Sequence, residues 1–229
     1  MFEILLIALT GGMILGLEIS YFKAKKRQQR KFVFLTQVFL ILLMSLAFLI
    51  FASSQPNPYT HTAFFVAILA SFFGDLLMDE KISITENRLI DGISAFSIAH
   101  IFYIIGFIFW FSRTTRATIS QYGVAILAIL GISILVYRFT GYRFENQMLR
   151  IASFFYSLLI ATTLASAVIV GIADNTAGKP LAIVGATLFL ASDFTIALRE
   201  TKSVKTNLDP FTHMSYVVGQ FFLQSAIML

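Results

Sequence analysis

Cysteine is absent from the chain, which excludes structural disulfides and thiolate-based metal or redox chemistry while leaving the compartment's redox character open. Charge is scarce as well. Asp, Glu, Lys and Arg make up 13% of the 229 residues, against about a quarter in soluble globular domains, and this excludes both a soluble enzyme domain and a disordered chain. Proline occurs only four times, so little interrupts the apolar segments. What fills the chain is hydrocarbon: 58% of residues are hydrophobic, 25 are Phe, and the mean hydropathy is +0.83. One soluble core cannot hide that much apolar surface, so much of it must face lipid. The sequence describes an all-α integral membrane protein.

A spanning helix takes about 20 apolar residues, so a chain of this length holds at most about eight spans and leaves almost nothing for an extramembrane domain. Apolar runs at 2–22, 32–52, 61–78, 92–111, 119–137, 150–172, 181–198 and 211–228 predict eight transmembrane helices in a single domain over 1–229. The first run has neither a basic leading region nor a cleavage site before a soluble domain, so it reads as a retained span and not a signal peptide. Turn chemistry fills the breaks, as in Ser53-Ser54-Gln55-Pro56-Asn57-Pro58 and in Asp174 to Pro180.

The formal net charge of +5 and a pI near 9.5 raise the question of a nucleic-acid partner, and the placement of the cations answers it. Segments 23–31, 79–91, 138–150 and 199–210 hold six, two, three and three Lys or Arg, whereas the alternate loops hold only Arg113, Arg116 and Lys179. The positive-inside rule puts the four basic segments in the cytoplasm and both termini outside, an arrangement suited to a bacterial inner membrane. Insertion accounts for the positive balance without nucleic acid. The run from Lys23 to Lys31 reads first as a topology anchor and second as a patch for anionic lipid headgroups.

An ionisable side chain inside a span costs about 2.5–3.5 kcal/mol on insertion scales, so each one marks a candidate site. They are Glu18, Asp75, His100 and Asp193, with Gln37 and Gln220 as neutral companions. Glu18 is about one turn from the basic loop and within reach of a lysine. In the predicted orientation Asp75 and Asp193 lie at similar depths near the inner ends of spans three and seven. His100 is about eight residues, or roughly 12 Å, into span four, and Tyr103 is one turn further on the same face. Tyr216 and Gln220 share a face of span eight through their i, i+4 spacing, and Gln37 and Tyr156 occupy the inner halves of spans two and six. All fall in one half of the bilayer, which predicts a single polar cavity open to the cytoplasm. A lone Gln, Tyr or His in a span usually serves a helix contact contributing about 0.6 kcal/mol. Two aspartates at one depth are too costly for that role, and they are the candidate site.

Ser71-Phe72-Phe73-Gly74-Asp75 in span three is echoed by Leu190-Ala191-Ser192-Asp193 in span seven. Each places a small residue, Gly74 or Ser192, before the aspartate, and the next span supplies His100 or Gln220 after 25 or 27 positions. The echo suggests a parallel four-plus-four repeat, with a pseudo-twofold axis along the membrane normal.

Two blocks carry a wider likeness. Gly74-Asp75, Phe96, Ala99-His100 and Tyr103, then Gly185-Ala186, Leu190, Ser192-Asp193, Ala197, Tyr216 and Gln220, with Tyr156 between them, resemble the YhhN family of multi-span membrane proteins, which includes the lysoplasmalogenases. The resemblance runs over spans three to eight. It implies an eight-span enzyme that hydrolyses the alkenyl ether bond of a lysoplasmalogen, giving a fatty aldehyde and glycerophosphoethanolamine or glycerophosphocholine. Its partners are then the lysophospholipid and the surrounding membrane lipids, and no cofactor is implied. Asp75 and Asp193 inherit the catalytic pair, and His100, Tyr103, Tyr156, Tyr216 and Gln220 inherit places around it. Thr162 and Thr163 stand where other members tend to carry methionine, a departure that points to an altered tail channel.

Vinyl ether hydrolysis begins with protonation of the β-carbon and passes through an oxocarbenium ion captured by water. Two carboxylates in unlike surroundings can supply the acid and the anionic stabiliser, as paired carboxylates do in glycosidases; the residues alone leave open which aspartate takes which part. A metal site of Asp75, Asp193 and His213 is a weaker alternative, because zinc favours several His or Cys ligands. Buried carboxylates and an internal repeat also suit a proton-coupled transporter or a lipid-binding protein. Against that stand the one-sided site and the lack of proline within the spans.

Overall fold

A computed structural model describes the chain except for residues 52–57, 80–81, 113–118, 140, 174–177 and 202–208. The described residues form eight helices: α1 (Phe2–Lys23), α2 (Arg27–Phe51), α3 (Pro58–Met78), α4 (Arg88–Phe111), α5 (Ile119–Phe139), α6 (Gln147–Ala173), α7 (Lys179–Glu200) and α8 (Asp209–Ala226), with a short 3-10 turn at Gly141–Arg143. No strand occurs among the described residues. Helices α1 to α4, α6 and α7 are long and apolar enough to cross a membrane. In α5 the apolar length so described is Val124–Phe139. The buried face of α8 carries Thr212, His213, Ser215, Gln220, Gln224 and Ser225, which lowers its hydropathy; Thr212, Gln220 and Gln224 bond to side chains of other helices.

Several helices start two to five residues before their apolar runs, since the first turn has free N–H groups that favour polar caps and proline. Pro58 opens α3, and Pro180 and Pro210 are the second residues of α7 and α8. Asn87 caps α4, its side chain accepting from the Leu89 and Ile90 amides at 3.0 and 3.4 Å.

Phe64, Tyr103, Phe107 and Phe189 are fully enclosed at the centre, whereas Leu9, Met13 and Leu15 on α1 and Leu127, Ile134 and Leu135 on α5 stay exposed, as lipid-facing helices require. The most extensive pairings are α3 with α4 and α7 with α8. Pairings α1–α2, α2–α3, α3–α4 and α2–α8 are matched by α5–α6, α6–α7, α7–α8 and α6–α4. Advancing every helix by four therefore carries the main packing pattern onto itself.

Helices α7 and α8 meet backbone to backbone. A Cβ on Gly185 would lie 2.8 Å from the Leu223 amide nitrogen and 2.9 Å from the Gly219 carbonyl oxygen, so neither neighbour can yield by a side-chain rotation. Gly185→Ala is expected to force the helices apart and lower stability by about 1–3 kcal/mol, read as a drop in the thermal unfolding midpoint in detergent; an unchanged midpoint would contradict the close approach.

Candidate functional site

At one end of the bundle the helix termini are tied by ion pairs: Lys31 of α2 with Asp79 just after α3, Arg88 of α4 with Glu200 of α7 at 2.9 Å, and Arg199 of α7 with Asp209 of α8 at 2.9 Å. Asp91 adds a brace, accepting from the Ile84 amide at 3.0 Å and the Thr85 hydroxyl at 2.7 Å, which holds the segment before α4 against its first turn. Beneath this layer lie Asp75 and Asp193, each only 6% exposed.

Asp193 sits among α4, α6 and α7. The Tyr156 hydroxyl donates to its Oδ2 at 2.8 Å, and His100 Nε2 lies 3.3 Å from the same oxygen and 3.4 Å from the Tyr156 hydroxyl. The other ring nitrogen, Nδ1, is 3.0 Å from Thr163 Oγ1. Thr163 spends its own proton on the Leu159 carbonyl at 3.0 Å, so its oxygen is left to accept, and Nδ1 carries the hydrogen. A bond between Nε2 and Asp193 then needs one further proton, held on either the imidazole or the carboxyl. Thr163, read from sequence as a departure that points to an altered tail channel, thus lies directly behind the His100 imidazole.

Asp75 is held differently. The Tyr216 hydroxyl of α8 donates to its Oδ2 at 2.8 Å, and among the described residues no histidine bond accompanies it. Each aspartate is thus bound by the helix that follows the other aspartate: His100 of α4 reaches Asp193 and Tyr216 of α8 reaches Asp75. This replaces the sequence pairing of His100 with Gln220. His100 corresponds to Tyr216, and Tyr103 corresponds to Gln220. The latter two bond each other across the bundle at 2.5 Å, as equivalent positions beside a twofold axis do.

Tyr103 and Gln220 therefore touch one another and not the aspartates. Their network continues through Gln224, which donates to the Tyr103 hydroxyl at 3.1 Å and to the Phe64 carbonyl at 3.0 Å and accepts from Ser45 at 2.9 Å. Gln224 escaped the sequence reading although it lies one turn beyond Gln220 on the same face. With it the buried polar groups reach Ser45 of α2 and the Phe64 carbonyl, which lies toward the opposite end of α3 from Asp75. Phe189 was missed too, since nothing marks one phenylalanine among 25. Its ring contacts those of His100 at 4.8 Å and Tyr216 at 5.4 Å between centroids.

Gln37 belongs to another cluster. It donates to Glu18 at 3.1 Å and to the Ile14 carbonyl at 3.4 Å. Glu18 is also 3.2 Å from His213 Nε2, without the alignment of a hydrogen bond. Its neighbours are thus a glutamine and a histidine, where the sequence placed a lysine within reach. His213, stacked on Tyr21 at 3.6 Å, faces Glu18, and among the described residues no three His, Asp or Glu side chains converge as metal ligands do. Ser192 donates to the Thr212 carbonyl at 3.2 Å, locking α7 to α8. Gly74 leaves room for the Phe96 ring, which a Cβ would meet at 3.0 Å.

Phe96, Met78, Ile196 and Glu200 separate two cavities and line both. Asp75, Ser192, His213 and Tyr216 face the larger, of about 640 Å³, whose rim carries Lys25, Arg27, Arg30 and Lys31. Asp193 and Tyr156 face a narrow cleft of about 60 Å³ walled by Leu89, Ile93, Val136 and Ile160. One carboxylate looks into a polar, cation-rimmed chamber and the other into hydrocarbon.

Fold and site together define a helical integral membrane protein with two buried carboxylates between a polar chamber and an apolar cleft. The chain belongs to the YhhN family, whose sequence pattern matches residues 32–227 and so takes in α2 as well as α3 to α8. No curated protein and no solved structure matches it.

Proposed function

We propose that the protein is a lysoplasmalogenase-like hydrolase, an eight-span enzyme with both termini outside and its polar chamber open to the cytoplasm, that cleaves the vinyl ether of a lysophospholipid. The observation that carries this reading is the unlike surroundings of Asp75 and Asp193. A lysoplasmalogen is polar at its glycerophosphate end and apolar along its chain, with the vinyl ether at the junction. Seated across Phe96 and Met78, its headgroup occupies the chamber and the start of its tail enters the cleft.

This seating assigns the two carboxyl groups. In a vinyl ether the β-carbon is on the tail side of the oxygen, so the proton comes from the Asp193 side, where His100 and Tyr156 surround the carboxyl. Protonation turns the C=C–O group into an oxocarbenium ion, which the Asp75 carboxylate stabilises from the chamber side. Water adds to the α-carbon and gives its proton to Asp75, forming a hemiacetal. Collapse breaks the bond between that carbon and the glycerol oxygen. Asp75 returns its proton to the glycerol oxygen, the hemiacetal hydroxyl proton passes to Asp193 through the His100–Tyr156 group, and the aldehyde leaves. The net change is one water consumed.

Purified protein incubated with a plasmenyl lysophosphatidylethanolamine should release free fatty aldehyde detectable by mass spectrometry; intact substrate after prolonged incubation would refute the activity. Thr163 tests the finer point. Thr163→Val removes the acceptor for His100 Nδ1 and is expected to slow aldehyde release about tenfold, the cost of leaving a buried N–H without its acceptor, whereas Thr163→Ser keeps the rate. With only three histidines in the chain, ¹⁵N shifts of labelled His100 can be read directly, and an unchanged tautomer in the valine variant would remove Thr163 from this role.

A further inference from the structure

The chamber in front of Asp75 has a charge arrangement that helix packing does not explain. Of the cations lining it, Lys31, Arg88 and Arg199 are matched by Asp79, Glu200 and Asp209. Lys25, in the turn between α1 and α2, and Arg27 and Arg30, in the first turn of α2, have no carboxylate partner among the described residues. Arg30 is also fixed in place. Its Nε donates to the Ala24 carbonyl at 2.9 Å and its guanidinium lies over the Tyr21 ring, 5.9 Å from the centroid, which leaves the terminal nitrogens free to form a fork. A topology anchor needs only charge near the interface. A half-buried arginine braced by a carbonyl and an aromatic face on the wall of a 640 Å³ chamber is built for an anion.

We infer that Arg30, with Lys25 and Arg27, forms a phosphate-binding subsite at the chamber mouth that takes the phosphate of a phosphodiester or phosphomonoester ligand. A planar guanidinium donates two parallel N–H bonds to phosphate oxygens, and the two exposed cations beside it add attraction. With the phosphate at the rim, the glycerol backbone points down toward Tyr216 and Asp75. This deepens the hydrolase reading and rests on it for the seating of the substrate, but its test reads binding alone, so subsite and activity can fail separately.

The probe is an acyl-ester lysophosphatidylethanolamine, which has no vinyl ether to cleave, titrated against the full-length protein in detergent micelles, with a monoacylglycerol of the same chain as the neutral control. Arg30→Gln is expected to weaken binding of the phospholipid by about 10- to 100-fold, the loss of a charge-assisted bond, and to leave monoacylglycerol binding within twofold. Since Arg30 also braces the α1–α2 turn, Lys25→Gln/Arg27→Gln provides a second reading free of that contact, with a weakening of about fivefold that shrinks in high salt. Inorganic phosphate and glycerophosphoethanolamine serve as competitors. Displacement of the lipid by millimolar inorganic phosphate assigns the subsite to phosphate as such, and displacement only by the organic headgroup assigns it to a lipid headgroup; either result upholds the inference. Equal weakening for charged and neutral lipids, or wild-type binding in both variants, overturns it.

Discussion

Asp193→Asn is expected to lower aldehyde release by about 10²- to 10⁴-fold, the usual contribution of a positioned general acid. Asparagine is close to isosteric with aspartate and can still accept the Tyr156 hydroxyl and donate to His100 Nε2, so the local geometry survives while the acidic proton does not. The thermal midpoint should stay near that of the wild type, which separates lost chemistry from lost folding. The wild-type reaction run in D₂O provides the companion measurement. Because the proton is delivered to carbon, the aldehyde should carry one deuterium at the carbon next to the carbonyl, and the rate should fall in D₂O. Activity within twofold of wild type in the asparagine variant, or an aldehyde without deuterium, would remove Asp193 as the proton donor.

The two buried carboxylates were legible in the sequence because an aspartate in lipid is costly and therefore rare. Helix number was legible for a related reason, since apolar runs of about 20 residues have few other uses. Partners were less so. The i, i+4 rule put Tyr216 and Gln220 on one face of α8, and they do share it, but only Tyr216 reaches an aspartate while Gln220 turns to Tyr103. A rule local to one helix carries no information about which helix lies opposite. The same limit hid the exchange between halves, in which His100 serves Asp193 and Tyr216 serves Asp75; the sequence echo matched small residue and aspartate correctly and then paired His100 with the wrong counterpart. Thr163 was visible only as a departure from its relatives. Its role emerges from α6 lying against α4, which places the hydroxyl behind the imidazole.

Asp75→Ala is expected to lose about 10²- to 10³-fold in rate, as removal of an electrostatic stabiliser does, and to regain activity with added formate. The argument turns on access. Asp75 opens on a chamber of about 640 Å³ rimmed by cations, so a small carboxylate can reach the vacated space with its solvation largely replaced by the site. Having lost the advantage of attachment, it should restore about tenfold and not the whole deficit. Asp193 faces a cleft of about 60 Å³ lined mainly by aliphatic side chains, where a free formate must shed its water with little in return. Asp193→Ala should therefore stay inactive at every formate concentration. The pair of variants separates the two roles in a way that single rate losses cannot, because both losses are large. Rescue of Asp193→Ala with no rescue of Asp75→Ala would exchange the acid and the water-activating base, and with them the direction in which the lipid lies across Phe96.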